Sequence, residues 1–175
     1  LCDLENLSLT DALTKLPNLR AFRMRLSTAL AHSHRHKEHL SIAYIDVDGF
    51  KAVNDTHGHH KGDELLKLIS YTIMRNMRAD DTAARLGGDE FALIFLHKPD
   101  NSMAMIYRLK QDLDIACKKN PAFNVSFSIG VVNYDGFPKV TEEEILMCAD
   151  QLMYKVKTTS KNAILIENFK ETVTH

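Results

Sequence analysis

Arg85-Leu86-Gly87-Gly88-Asp89-Glu90-Phe91 is the stretch on which the fold turns. Two glycines stand between two short apolar runs, Thr82 to Leu86 and Phe91 to Phe95. That pattern predicts a tight hairpin, because turn positions with φ > 0 suit a residue without a Cβ. Two carboxylates, Asp89 and Glu90, follow at once. Adjacent acids on a rigid hairpin, beside glycines that let a ligand reach the backbone, can hold a hard cation. Alone, the stretch is more simply an ordinary hairpin with solvated acids at its tip. A second acidic cluster upstream changes that.

The upstream cluster closes the run Ser41-Ile42-Ala43-Tyr44-Ile45-Asp46-Val47-Asp48. Apolar at successive positions, it reads as a central strand buried on both faces. Period-two geometry places Asp46 and Asp48 on one face, with the Val47 carbonyl between them. A carboxylate at the end of a buried strand is costly without a ligand or partner. Gly49-Phe50-Lys51 follows as a turn whose backbone N–H groups can face an anion.

The remaining segments supply the supporting elements. Leu4, Leu7 and Leu9 suggest the end of an incoming helix over residues 1–9, ahead of a domain spanning 10–170. Thr10 to Asn18 is rich in cap and turn residues. Asn18 caps a helix with Leu19, Phe22, Leu26 and Leu30 on its apolar face. His32 and His36 near its end lack a carboxylate or cysteine to complete a metal site, so they read as a solvated helix end. His60 to Arg78 is a helix burying Leu65, Leu66, Ile69, Ile73 and Met77, with Asp63 in its first turn, where the helix dipole favours a carboxylate. Asp100 to Lys119 is a helix with Ile106, Leu109, Leu113 and Ala116 inward. Asn124 to Val132 alternates as a strand with Val125, Phe127, Ile129 and Val131 on one face. Thr141 to Lys157 is a helix opened by a Thr141–Glu144 capping box, with Ile145, Ala149, Leu152 and Val156 as its stripe. Ala163 to Ile166 is a last strand. One hairpin among mixed strands and helices predicts an α+β domain with a largely antiparallel sheet.

Composition narrows the function. The chain of 175 residues suits one domain, and a net charge of -1 gives no bulk attraction for nucleic acid or anionic membrane. Cys2, Cys117 and Cys148 are odd in number and form no CxxC, which fits a reducing cytoplasm. No run is apolar and long enough to cross a bilayer. The first residue is Leu1, from which a fragment of something longer is expected. Acids with no His or Cys in either cluster favour Mg²⁺ over zinc or iron. Carboxylates converging from neighbouring strands around Mg²⁺ are the geometry of phosphoryl and nucleotidyl transfer.

At this point the sequence resembles the GGDEF diguanylate cyclase family, over nearly the whole chain. The matching blocks run in order: Asp11 to Asn18, Asp46 to Asp55, Gly58 to Asp63, Gly87 to Phe91, and Ala149-Asp150 through Lys161-Asn162. The resemblance implies a palm-like nucleotide-cyclase domain with a mostly antiparallel five-stranded sheet flanked by helices. It implies condensation of two GTP molecules into cyclic di-GMP and two pyrophosphates, with Mg²⁺ or Mn²⁺, two per site. Asp46, Asp89, Glu90 and the Val47 carbonyl would hold the metal, with Asp89 or Glu90 also helping to deprotonate the ribose 3′-hydroxyl. Gly49, Phe50 and Lys51 would bind the triphosphate, joined by Lys157 and Lys161. Gly87 and Gly88 would let the nucleotide approach the hairpin. Asn54, His59 and Asp63 would read guanine. Departures from the family pattern are Leu19 for an arginine, Leu152 and Val156 for alanines, and Ser160 for a glycine before Lys161.

Two further expectations follow from the resemblance. Arg78-Ala79-Asp80-Asp81 stands at the offset of the family's RxxD inhibitory site, where Arg78, Asp81 and Arg108 would bind cyclic di-GMP; read without the family, it is a surface Arg–Asp contact of small worth. The two-fold product implies a transient homodimer driven from upstream, each copy presenting its nucleotide to the other. A catalytically silent module sensing GTP or cyclic di-GMP is the alternative. A cyclase with an adenine product is opposed by the carboxylate at Asp63.

Overall fold

The computed structural model describes residues 8–169. Leu4 and Leu7, expected to end an incoming helix, lie outside the described residues. The elements are α1 (Leu19–His36), β1 (Leu40–Asp48), α2 (Phe50–His57), α3 (His59–Asn76), β2 (Thr82–Gly87), β3 (Glu90–Phe95), α4 (Pro99–Lys118), β4 (Ser126–Tyr134), α5 (Glu142–Thr159) and β5 (Ile164–Asn168). They form an α+β domain around one five-stranded sheet in the order β2-β3-β1-β4-β5. Every neighbouring pair is antiparallel except β4 and β5, which run parallel.

Both faces of the sheet are covered. On one, α3 and α4 bury Leu65, Ile69, Ile73, Ile106 and Leu109 against Ala43, Ile45, Leu93 and Ile129. On the other, α1 and α5 bury Phe22, Leu26, Ile145 and Ala149 against Ile42, Tyr44, Ile94 and Val132. That is why β1 is buried at all nine positions. It also corrects the reading of β4 as a one-faced strand: β4 is buried at every position after Ser126. Both expected caps form. Asn18 Oδ1 accepts from the Ala21 N–H at 3.0 Å, and Thr141 and Glu144 close a capping box.

Three helix expectations shift. Leu19 is exposed, because α1 turns Ala21 and Phe22 to the core instead. On α5 the buried positions include Leu146 and Met153, with Leu152 only half-buried. Helix α3 begins at His59 and has no acid in its first turn, so Asp63 sits beyond the reach of the amino-terminal dipole.

Candidate active site

The sheet register brings the two acidic clusters together. Asp46 on β1 lies directly opposite Glu90 on β3. The Val47 N–H donates to the Asp89 carbonyl at 3.3 Å, which makes Val47 and Asp89 a hydrogen-bonded pair. Asp46 and Glu90 therefore occupy the closer, non-hydrogen-bonded kind, with Cα atoms about 4.5 Å apart. In such a ladder a residue's carbonyl leaves on the same edge as its N–H, so the Val47 carbonyl faces the hairpin tip.

The hairpin closes one residue later than expected. Gly87 pairs with Glu90, and a register shift lies between Arg85 and Gly87. The loop is thus Gly88-Asp89, not Gly87-Gly88. Gly87 still has φ 156° and Gly88 φ 49°, so both glycines take values that a side chain would strain. The slip places Asp89 at the tip and keeps Glu90 in the ladder.

Arg85, whose place in the sequence marks no role for it, fastens this tip. Its Nε and Nη2 donate to the Gly88 carbonyl at 3.0 and 2.8 Å. Its Nη1 donates to the Asp11 carboxylate at 3.1 and 3.2 Å. Burial works against ionisation of Asp11, but bonds from Thr14 and Arg85 outweigh it and hold the carboxyl below its usual range. The segment before α1 therefore serves as a brace for the hairpin.

The acids form a crowded, half-buried group. Burial first, then the Asp46 charge, raises the affinity of Asp89 and Asp150 for a proton. Glu90 is also raised, chiefly by burial, although the Tyr44 hydroxyl donating at 3.1 Å works the other way. Lys157 on α5 stands 2.8 Å from Asp46 Oδ1. That contact is close in distance but not aligned as a hydrogen bond, so Oδ1 is buried without a hydrogen-bonded partner. The neighbouring Asp46 carboxylate is the main cause holding the Lys157 ammonium charged above its ordinary range. Asp48, by contrast, is fully engaged. It accepts from Ser126 and Ser128 on β4 and from the Asn162 N–H at 3.2 Å. Its work is to tie the loop after α5 to the end of β1.

The donor set is chemically right for a hard cation: oxygen only, anionic, with a buried Asp46 oxygen that lies against the Lys157 ammonium but has no hydrogen bond. As arranged, however, no three Asp, Glu, His or Cys side chains among the described residues are grouped to hold one metal ion. The expected convergence is therefore partial: Asp46 and Glu90 face each other, Asp89 stands on the adjoining tip, and Lys157 lies against Asp46. Repulsion among the raised carboxylates is what a divalent ion would relieve.

Gly49 has φ 86° and starts α2, leaving the Phe50 and Lys51 N–H groups at an open helix amino terminus. At the α2–α3 junction, Asn54 Oδ1 is buried without a partner. It points at Gly62, where a Cβ would lie 1.9 Å away. His59 and Asp63, four apart on α3, are exposed along one side of it. The Ser160 departure has no backbone cost, since Ser160 has φ -112°; Lys161 and Asn162 take the left-handed values instead. Lys161 is exposed.

The RxxD segment lies apart from the acids. The Asp81 side chain is fully buried. It accepts from the Arg78 N–H at 3.0 Å and the Leu96 N–H at 3.4 Å, with His97 Nε2 3.0 Å away. Those contacts shape the turn that presents Arg78 and leave little of the carboxylate for a guanine edge. Arg108 on α4 donates to Asn76 at 3.1 Å, two residues before Arg78. A cavity of about 550 Å³ beneath α1, lined by Met24, Thr28, Leu40, Ile94 and Leu96, shares no residue with the acidic site.

The chain is similar to known proteins over most of its length. The family model described as diguanylate cyclase, GGDEF domain, matches residues 8–163. The chain is 38% identical over 165 residues to the bifunctional diguanylate cyclase/cyclic di-GMP phosphodiesterase MucR of Pseudomonas aeruginosa, covering 91% of this chain and 24% of that protein. It is 32% identical over 158 residues to diguanylate cyclase DosC of Escherichia coli K12, covering 88% of this chain and 34% of that protein. The crystal structure of the coiled coil and GGDEF domain of DgcB from Caulobacter crescentus, in complex with c-di-GMP, aligns with a TM-score of 0.83 at 26% identity, covering 94% of this chain and 88% of that one. The chain spans about a quarter to a third of the length of these curated relatives. Among the described residues, no helix is long and apolar enough to cross a membrane.

Proposed function

The chain belongs to the GGDEF domain family, and from that premise we propose that it is a diguanylate cyclase, making cyclic di-GMP and two pyrophosphates from two GTP molecules. The observation that supports this most directly is the register setting Asp46 opposite Glu90. Asp46, Asp89, Glu90 and the Val47 carbonyl would hold Mg²⁺ or Mn²⁺, two per site, supplying charge neutralisation at the phosphate and acidifying the ribose hydroxyl. Backbone N–H groups of Gly49 and Phe50 at the start of α2, with Lys51, bind the triphosphate. Lys157 and Lys161 reach the same phosphates from the end of α5. The 3′-hydroxyl proton passes to Asp89 or Glu90, both of which burial makes readier to take up a proton. Asn54, His59 and Asp63 read the base. Guanine's neighbouring N1–H and N2–H₂ donors suit one carboxylate, whereas adenine would leave Asp63 unpaired at a cost of about 1–3 kcal/mol.

The product's two-fold symmetry calls for two copies facing each other, each site holding one nucleotide. GTP as substrate places the domain in the cytoplasm. The test is incubation with GTP or ATP and Mg²⁺ or Mn²⁺, with products identified by mass. Cyclic di-GMP from GTP alone is the expected result, at a rate rising more than linearly with protein concentration. Tight cyclic di-GMP binding without turnover would assign the silent sensing role instead.

The Arg78 corner is the proposed product-inhibition site. Arg78 and Arg108 supply guanidinium forks for guanine O6 and N7 or for phosphate, while Asp81 holds the turn. Arg78→Ala is expected to leave initial turnover intact and to raise the cyclic di-GMP concentration for half-inhibition by about tenfold or more. Unchanged inhibition would remove Arg78 from this role.

A further inference from the structure

We infer that Tyr44 is a positioning residue for the proposed metal-binding acids, its hydroxyl fixing the orientation of the Glu90 carboxylate on the sheet face it shares with Asp46. Tyr44 and Asp46 are two apart on β1 and so share a face. Asp46 is opposite Glu90, and Tyr44 is opposite Ala92 on one side and Gly130 on the other. These small neighbours leave room for the ring, which is 8% exposed. From there the hydroxyl crosses diagonally to Glu90 Oε2 at 3.1 Å. To an ionised carboxylate the hydroxyl is the donor, so the bond fixes which Glu90 oxygen is used up and which is left for another partner. The pair lines a cleft of about 310 Å³ with Asp150, Leu146 and Leu86. Glu90 is half-buried, and without the bond its carboxylate would be free to turn within this cleft. Carboxylate ligands held by an outer hydrogen bond commonly lose about 10–100-fold in metal affinity or activity when the bond is removed.

The inference rests on the proposed reading of Asp46 and Glu90 as metal ligands, and its test separates the two. The probe is Mn²⁺ alone, titrated without nucleotide and followed by electron paramagnetic resonance of the free ion. Tyr44→Phe is expected to weaken Mn²⁺ binding by about tenfold, and to lower kcat about tenfold with KM for GTP little changed. In a Glu90→Gln background, Tyr44→Phe should move Mn²⁺ affinity by less than about twofold, because the partner it positions no longer carries charge. Tyr44→Met refills the space without a donor and serves if the Phe variant fails to fold. Mn²⁺ affinity and kcat both within about twofold of wild type would overturn the inference, as would an equal loss in the Glu90→Gln background. If wild-type protein binds Mn²⁺ but makes no cyclic di-GMP, the cyclase reading fails, and Tyr44 is judged on the Mn²⁺ cycle alone.

Discussion

Glu90→Gln is expected to abolish cyclic di-GMP formation while leaving the domain as stable as before, or more so. The substitution keeps the shape of the side chain and an oxygen for the Tyr44 hydroxyl, and removes only the charge. If Glu90 takes part in metal-assisted attack, that charge contributes several kcal/mol at the transition state. At about 1.4 kcal/mol per tenfold, the expected loss is about a thousandfold or more. Stability should move the other way. The folded protein raises the proton affinity of Glu90, mainly by burial and with Asp46, Asp150 and Asp89 adding to it. A carboxyl raised in this way adds stability below its unfolded pKa and loses it as pH rises through the folded one. At pH 7 without divalent ions, the ionised group is therefore a cost that glutamine lacks. The check pairs product formation with a thermal melt. More than about a tenth of the wild-type rate would take Glu90 out of the reaction.

Gly130→Ala is expected to have the largest effect on stability. Gly130 lies in β4, opposite Tyr44. A Cβ there would meet the Ala149 carbonyl and the Met153 nitrogen at 2.3 Å each, and Leu152 Cβ at 2.8 Å. These are mostly backbone atoms of α5 and cannot swing aside, so the whole helix must lift from the sheet. Overpacking typically costs about 1–3 kcal/mol, and rigid backbone neighbours put this case at the upper end or beyond. For a domain of this size that is a fall in Tm of roughly 6–12 °C. Because α5 also carries Lys157 to Asp46, turnover should fall more than the lost stability explains, even where the variant is fully folded. A Tm within about 2 °C of wild type would mean that α5 does not bear on Gly130.

Much of this was legible in the chain. The apolar run ending in Asp46 and Asp48 announced a central strand, and period two put both acids on one face. The helix caps at Asn18 and Thr141 were local patterns and formed as read. Less legible were features set by a distant partner. The glycine pattern points to a hairpin one residue too early, because a bulge between Arg85 and Gly87 depends on the β3 partner rather than on the glycines. Arg85 and Asp11 are far apart in sequence, and nothing local to either marks them as a pair. Asp46 and Asp48 look alike in sequence; only the serines of β4 and the Asn162 N–H distinguish the structural acid from the one beside Lys157. In sequence Gly130 looks like any small residue in a strand; only α5 lying on it demands the missing side chain.

Residue order alone established the class of fold, the two acidic clusters, the faces they occupy and the resemblance that covers them. These are properties of periods of two and 3.6, of turn chemistry and of short motifs, all of which act over a few neighbours. The folded arrangement decided which acids meet, that Asp89 crowns the hairpin, that Lys157 lies against Asp46, and that a tyrosine two residues upstream reaches Glu90. Cross-strand register and helix-to-sheet approach are sums over many long-range contacts, so no single segment contains them.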